Sequence, residues 1–99
     1  MLSKMFPKHK PWRSKKYIKF VSSLPCCITG SNEVVAHHII NCNILSGTGT
    51  KVSDLFTIPL DARLHGILHN DPKAFELMYD QKKLALETIE KAVMDGVLN

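Results

Sequence analysis

Four of the chain's five histidines fall between Ala36 and His69, arranged as two pairs of different kinds. His37 and His38 are adjacent, inside an apolar run of Val34, Val35, Ala36, Ile39 and Ile40, while His65 and His69 stand four apart. Each pair constrains its local structure. The β-branched residues ahead of His37 favour a strand over 33–38, on which neighbouring side chains face opposite ways. Histidines four apart share one face on a helix. A fold that uses both pairs must bring a strand against a helix. Two imidazoles one helical turn apart can present ring nitrogens to one transition-metal ion. One histidine of the adjacent pair can join that ion while the other faces a different space.

The flanking residues supply the boundaries. Ser14 precedes a stretch in which Tyr17, Ile18, Phe20, Val21 and Leu24 suit one face of a short helix slightly better than a strand. Residues 25–32 are turn-rich, and residues 41–53 read as a loop of small residues. That loop lacks the Gly-x-x-x-x-Gly-Lys-Ser/Thr spacing of a phosphate-cradling P-loop. A second strand is expected over 54–60, short and at an edge because of Pro59. Asp61 is then placed to cap a helix carrying Leu64 and Leu68 on one face and His65 and His69 on the next. Asn70-Asp71-Pro72 ends that helix and starts another, with Asp71 as cap and Pro72 at the first helical position. Phe75, Met78 and Tyr79 make this next helix amphipathic. After a break near Asp80, a last helix from Gln81 to Asp95 is expected to bury Leu86, Ile89 and Val93 and to stop at Gly96. The predicted class is α+β.

At 99 residues, with 44% hydrophobic and 22% charged residues, the chain suits one domain with one modest core. A basic arm over 1–14 followed by a domain over 15–99 is the expected division. The net charge is +4, but its distribution says more. Lys4, Lys8, Lys10, Arg13, Lys15, Lys16 and Lys19 all precede the first acidic residue. Such an arm suits a polyanionic partner, with Trp12 and Tyr17 as stacking or anchoring aromatics. No apolar run approaches a membrane span and no signal-peptide pattern opens the chain, so a cytoplasmic protein without a membrane partner is expected. Three cysteines, two of them the adjacent Cys26 and Cys27, do not make a disulfide framework.

Ala36-His37-His38-Ile39, then Asp54-Leu55-Phe56 through Leu60, then His65-x-x-x-His69, together resemble the HNH (ββα-metal) nucleases. The likeness is closest to the phage recombination-enhancement (Ref) branch and extends over nearly the whole chain, from Tyr17–Cys26 through Gly47–Phe56 to Phe75–Leu98. It implies a small ββα-metal core, a β-hairpin with its metal-site helix, wrapped by further helices on the N- and C-terminal sides. It also implies an endonuclease that hydrolyses DNA phosphodiester bonds in phage or prophage recombination. By motif position His38 would be the general base, and His37, His65 and His69 the ligands of one divalent ion. That ion would be Mg²⁺ in the cell, with Mn²⁺, Ni²⁺ or Zn²⁺ as other occupants; three histidines favour a transition metal on ligand preference. Asp54 stands at or near the family's middle Asn, which braces the loop carrying the base. The candidate nucleic-acid contacts are Lys10, Arg13, Lys15, Lys16, Lys51 and Arg63, and a recombinase-coated single strand is a candidate partner in addition to DNA.

Departures from the family pattern matter as much. Its structural zinc uses two thiol knuckles, but here the first reads Cys26-Cys27-Ile28-Thr29 and the second Asp61-Ala62-Arg63-Leu64. No structural zinc is therefore expected. Together with Asp54 in place of Asn, this keeps open a catalytically inactive nucleic-acid-binding module of the same fold, and, further off, a metal-binding or protein-interaction domain with no nucleic-acid role.

Overall fold

Ser14 opens the first element. In the computed structural model, which describes residues 11–40 and 52–98, its hydroxyl accepts the Tyr17 N–H at 3.1 Å. Helix α1 then runs over Lys15–Ser23 and buries Tyr17 and Val21, which settles the helix-or-strand alternative for this stretch. Pro25 excludes a helical conformation at Leu24, and the chain turns through residues 25–32 with Gly30 at φ 77°.

Strand β1 (Val34–His38) pairs antiparallel with β2 (Thr57–Asp61), placing Ala36 opposite Pro59 and His37 opposite Ile58. In this two-stranded sheet both strands are edges, so a proline is tolerated in β2. The second strand begins later than the sequence suggests. Asp54–Phe56 is a short 3-10 helix because the Ser53 hydroxyl accepts the Leu55 N–H and the Thr57 hydroxyl donates to the Asp54 carbonyl. Helix α2 (Ala62–Asn70) follows at once, with Asp61 accepting the Arg63 N–H at 2.7 Å and with Leu64 and Leu68 buried as expected. Asp71 caps α3 (Pro72–Met78) through the Ala74 N–H, and Asp80 caps α4 (Gln81–Met94) through the Lys83 N–H. The order is mixed α+β, with the sheet and α2 in the middle and helices at both ends. No helix among the described residues is long and apolar enough to cross a membrane.

The last helix corrects an expectation. Leu86 and Val93 face solvent, at 61% and 48% exposure, and Ile89 is half-buried. The buried face is Gln81, Ala85, Thr88 and Ala92. Two causes set this rotation. Gln81 is held by hydrogen bonds to the backbone of Ile40, and the small side chains below it let the helix lie close to β2 and the 3-10 turn. Met78 is likewise exposed, leaving Phe75 as the buried residue of α3. The core then has two parts. Ile39, Ile58, Leu60, Leu64, Leu68, Phe75 and Ala85 surround the sheet and α2. Tyr17, Val21 and Ala92 join α1 to α4.

Tyr17 carries a buried hydroxyl without a hydrogen-bond partner among the described residues, and burial pushes its pKa up to about 12. An unpaired buried hydroxyl opposes folding, so Tyr17→Phe should stabilise the protein by about 1 kcal/mol. Urea unfolding should show a higher midpoint at unchanged m-value. A lower midpoint would mean that the hydroxyl contributes a bond.

Candidate active site

Alternation along β1 separates the two adjacent histidines. His37 is 2% exposed and looks towards α2, where His65 and His69 project from the face next to Leu64 and Leu68. The three rings meet edge to face, with centroids 5.0 Å apart for His37–His65, 5.5 Å for His37–His69 and 4.5 Å for His65–His69. One ring nitrogen from each lies within 4.8 Å of the other two. The Nε2 atoms of His65 and His69 are 3.1 Å apart, one ring donating to the other. Bonds of about 2.1 Å to a common ion put two nitrogen ligands roughly 3.0–3.4 Å apart, from octahedral to tetrahedral geometry. The His65–His69 separation matches such a pair, and the His37 nitrogen lies within 4.8 Å of both.

His37 is held in place by a residue that motif spacing does not single out. Gln81 is buried at the start of α4, and its Oε1 accepts the Ile40 N–H at 3.1 Å. Its Nε2 donates to the Ile40 carbonyl at 3.0 Å and to Glu76 Oε2 at 2.9 Å. With the amide orientation fixed, His37 Nε2 lies 3.2 Å from the same Oε1 and must donate to it. The lone pair of His37 is then on Nδ1. Burial, with the nearby His65, His69 and His38 adding to it, pushes the His37 pKa down to about 4 although the Gln81 bond opposes this. A neutral imidazole with a fixed tautomer is what metal ligation requires. The sequence signal for Gln81 is its place in line with Ala85, Thr88 and Ala92, a face whose only long side chain is polar.

His38 looks the other way and meets Asp54. Its Nε2 lies 2.8 Å from Asp54 Oδ1, with the imidazole partly exposed and the carboxylate buried. Asp54 also accepts the Ser14 N–H on Oδ2 at 2.8 Å and pairs with Arg13 Nη1 at 3.2 Å. Burial pushes the Asp54 pKa up, but the His38 hydrogen bond, the Ser14 N–H and the charges of His38 and Arg13 outweigh it and hold the carboxyl below its usual value. An ionised Asp54 accepts from Nε2–H, which leaves His38 Nδ1 as the basic nitrogen. The carboxylate thus orients the ring directly and ties down Arg13 and Ser14, while the Asp54 backbone N–H donates to the Trp12 carbonyl at 2.9 Å.

The candidate phosphate contacts divide. Arg13, which also donates to the Val52 carbonyl at 2.6 Å, borders a hollow of about 460 Å³ with Lys15, Lys19 and Asp54. Lys19 is the member of this group that motif reasoning did not place at the site. Lys16 and Arg63 are exposed on the first turns of α1 and α2. Lys10 and Lys51 lie outside the described residues. At the other end of β2, Cys26 Sγ accepts N–H groups from Ile28, Thr29 and Asp61 at 3.3–3.5 Å, and Thr29 stands where a second knuckle thiol would be. Among the described residues, His37, His65 and His69 are the group of potential ligands that converges.

Comparison with known proteins adds a family. Residues 3–96 match the family described as protein of unknown function (DUF968). The chain belongs to this family. It is also similar to the uncharacterized protein YdfU of Escherichia coli (strain K12), at 39% identity over 93 residues, 93% of this chain and 26% of that protein. The chain thus spans about a quarter of the length of that relative. No solved structure matches it.

If Gln81 orients His37, Gln81→Leu should weaken Co²⁺ binding by about 10–100-fold, the usual cost of losing a partner behind a metal ligand. Absorbance titration with Co²⁺ measures this. Unchanged affinity in a folded Gln81→Leu protein would show that the bond is not needed for the site.

Proposed function

We propose that this chain is a divalent-metal-dependent endonuclease that hydrolyses DNA phosphodiester bonds, with a ββα-metal (HNH) core. The observation that carries the reading is the His38–Asp54 pair, one residue along β1 from the three-imidazole cluster. His38 Nδ1 takes a proton from the attacking water as its oxygen bonds to phosphorus and the leaving oxygen departs with its electron pair. Asp54 holds the ring through Nε2–H and stabilises the imidazolium that forms. His37, His65 and His69 would hold a divalent ion, which would supply positive charge against the phosphate and the leaving oxygen. Arg13, Lys15 and Lys19 around the neighbouring hollow, with Lys16 and Arg63 beyond, provide salt-dependent affinity for the phosphate backbone. The phage or prophage setting and a recombinase-coated strand as partner rest on the resemblance alone, and a cytoplasmic location on the sequence pattern.

One observation favours a second reading, a nucleic-acid-binding module without catalysis. Arg13 pairs with the same Asp54 oxygen that meets His38, so the carboxylate already has a charged partner before any proton reaches the ring. Plasmid nicking decides between the two. Wild-type protein should nick DNA with Mg²⁺, Mn²⁺, Co²⁺ or Ni²⁺ and stop when EDTA is added. His38→Ala should lower the rate by about 10²–10⁴-fold, the usual worth of a general base. DNA binding that persists without cleavage under every metal, and that His38→Ala leaves unchanged, would select the binding module.

A further inference from the structure

The rotation of α4 leaves an apolar stripe with none of the described residues packed over it. Leu86, Val93 and Met94 are exposed along the helix, and Met78 is exposed just ahead of it. Met78, Tyr79, Lys83, Leu84 and Glu87 line a groove of about 330 Å³ beside the N-terminal end of α4. Lys83 and Glu90 flank Leu86 on the same edge, two helical turns apart. Among the described residues neither side chain has an ion-pair partner, whereas Lys91 is already paired with Asp95 at 3.2 Å.

We propose that this face of α4 is the contact between two copies of the chain, packed antiparallel about a two-fold axis near Leu86. Charge selects both the occupant and the orientation. A parallel two-fold pair would put this edge of the two copies on opposite sides of the contact and leave Lys83 and Glu90 without partners across it. The antiparallel pair sets Lys83 of each copy level with Glu90 of the other, so the ion pair forms twice. The same register stacks Leu86 near its own symmetry mate. It carries Met94 of each copy to the level of Tyr79 in the other, against the groove beside Met78. Leu86, Met94 and the two charges satisfy one register together, while Val93 comes level with Asp80 of the other copy. The stripe that hydrophobic periodicity assigns to the interior would then be buried after all, between copies.

Sedimentation velocity on the wild-type chain across the micromolar range should show a concentration-dependent dimer. Leu86→Asp, a change at a solvent-facing position, should weaken it by about a hundredfold or more while the circular dichroism spectrum is retained. Lys83→Glu or Glu90→Lys alone places like charges together twice and should raise the dissociation constant roughly tenfold. The double variant should recover the dimer, and an equimolar mixture of the two single variants should form a heterodimer. A wild-type chain that is monomeric throughout overturns the proposal. So does a dimer indifferent to both charge reversals, or one that the double variant fails to restore; these outcomes assign the stripe to another segment or another protein. If Leu86→Asp does not fold, the charge exchange decides the matter.

Discussion

The grip of Gln81 on the backbone of Ile40 is the contact on which most of this structure depends. A buried amide must find partners, because leaving its groups unpaired costs about 1–3 kcal/mol each. Gln81 meets that demand with the Ile40 carbonyl and N–H just beyond β1, with Glu76 near the end of α3, and with the Nε2–H of His37. One side chain therefore joins three elements. It fixes the rotation of α4, it fixes the tautomer of His37, and by turning Ala85, Thr88 and Ala92 inward it leaves Leu86 and Val93 outside.

Asp54 is the counterpart on the opposite side of the strand. A carboxylate buried in so small a domain requires compensation, and it receives an imidazole, a backbone N–H and a guanidinium. The arrangement ties residues 11–14 to the histidine that would act as base. The N-terminal segment is thus part of the site's construction as well as a source of positive charge. Asp54 meets His38 through a direct hydrogen bond at 2.8 Å. It also introduces a charge that Arg13 partly neutralises.

Much of this was legible in the residues because the signals are local. The caps at Asp61 and Asp71, the spacing of His65 and His69 and the alternation at His37–His38 each depend on a few neighbouring residues and on fixed periods of 3.6 and 2. The convergence of His37 with the helical pair follows from those periods once β1 and β2 are paired. What escaped notice depends on long-range partners. Gln81 finds Ile40 across forty-one positions, and Asp54 finds Ser14 across forty. Neither contact has a periodic signature. The face of α4 was misassigned for a related reason. Leu86, Ile89 and Val93 outweigh alanine and threonine in hydrophobicity, but a small-residue face anchored by a paired polar group packs closer to the sheet.

The proposed function divides two neighbours, giving His37 to a metal site and His38 to proton transfer. Co²⁺ titration of the wild type, His38→Ala and His65→Ala, followed by visible absorbance, tests it most directly. The account predicts one equivalent of Co²⁺ per chain, with the same spectrum, for wild type and His38→Ala, and loss of that spectrum in His65→Ala. No Co²⁺ binding by the wild type, or a spectrum that disappears in His38→Ala and survives in His65→Ala, would contradict it.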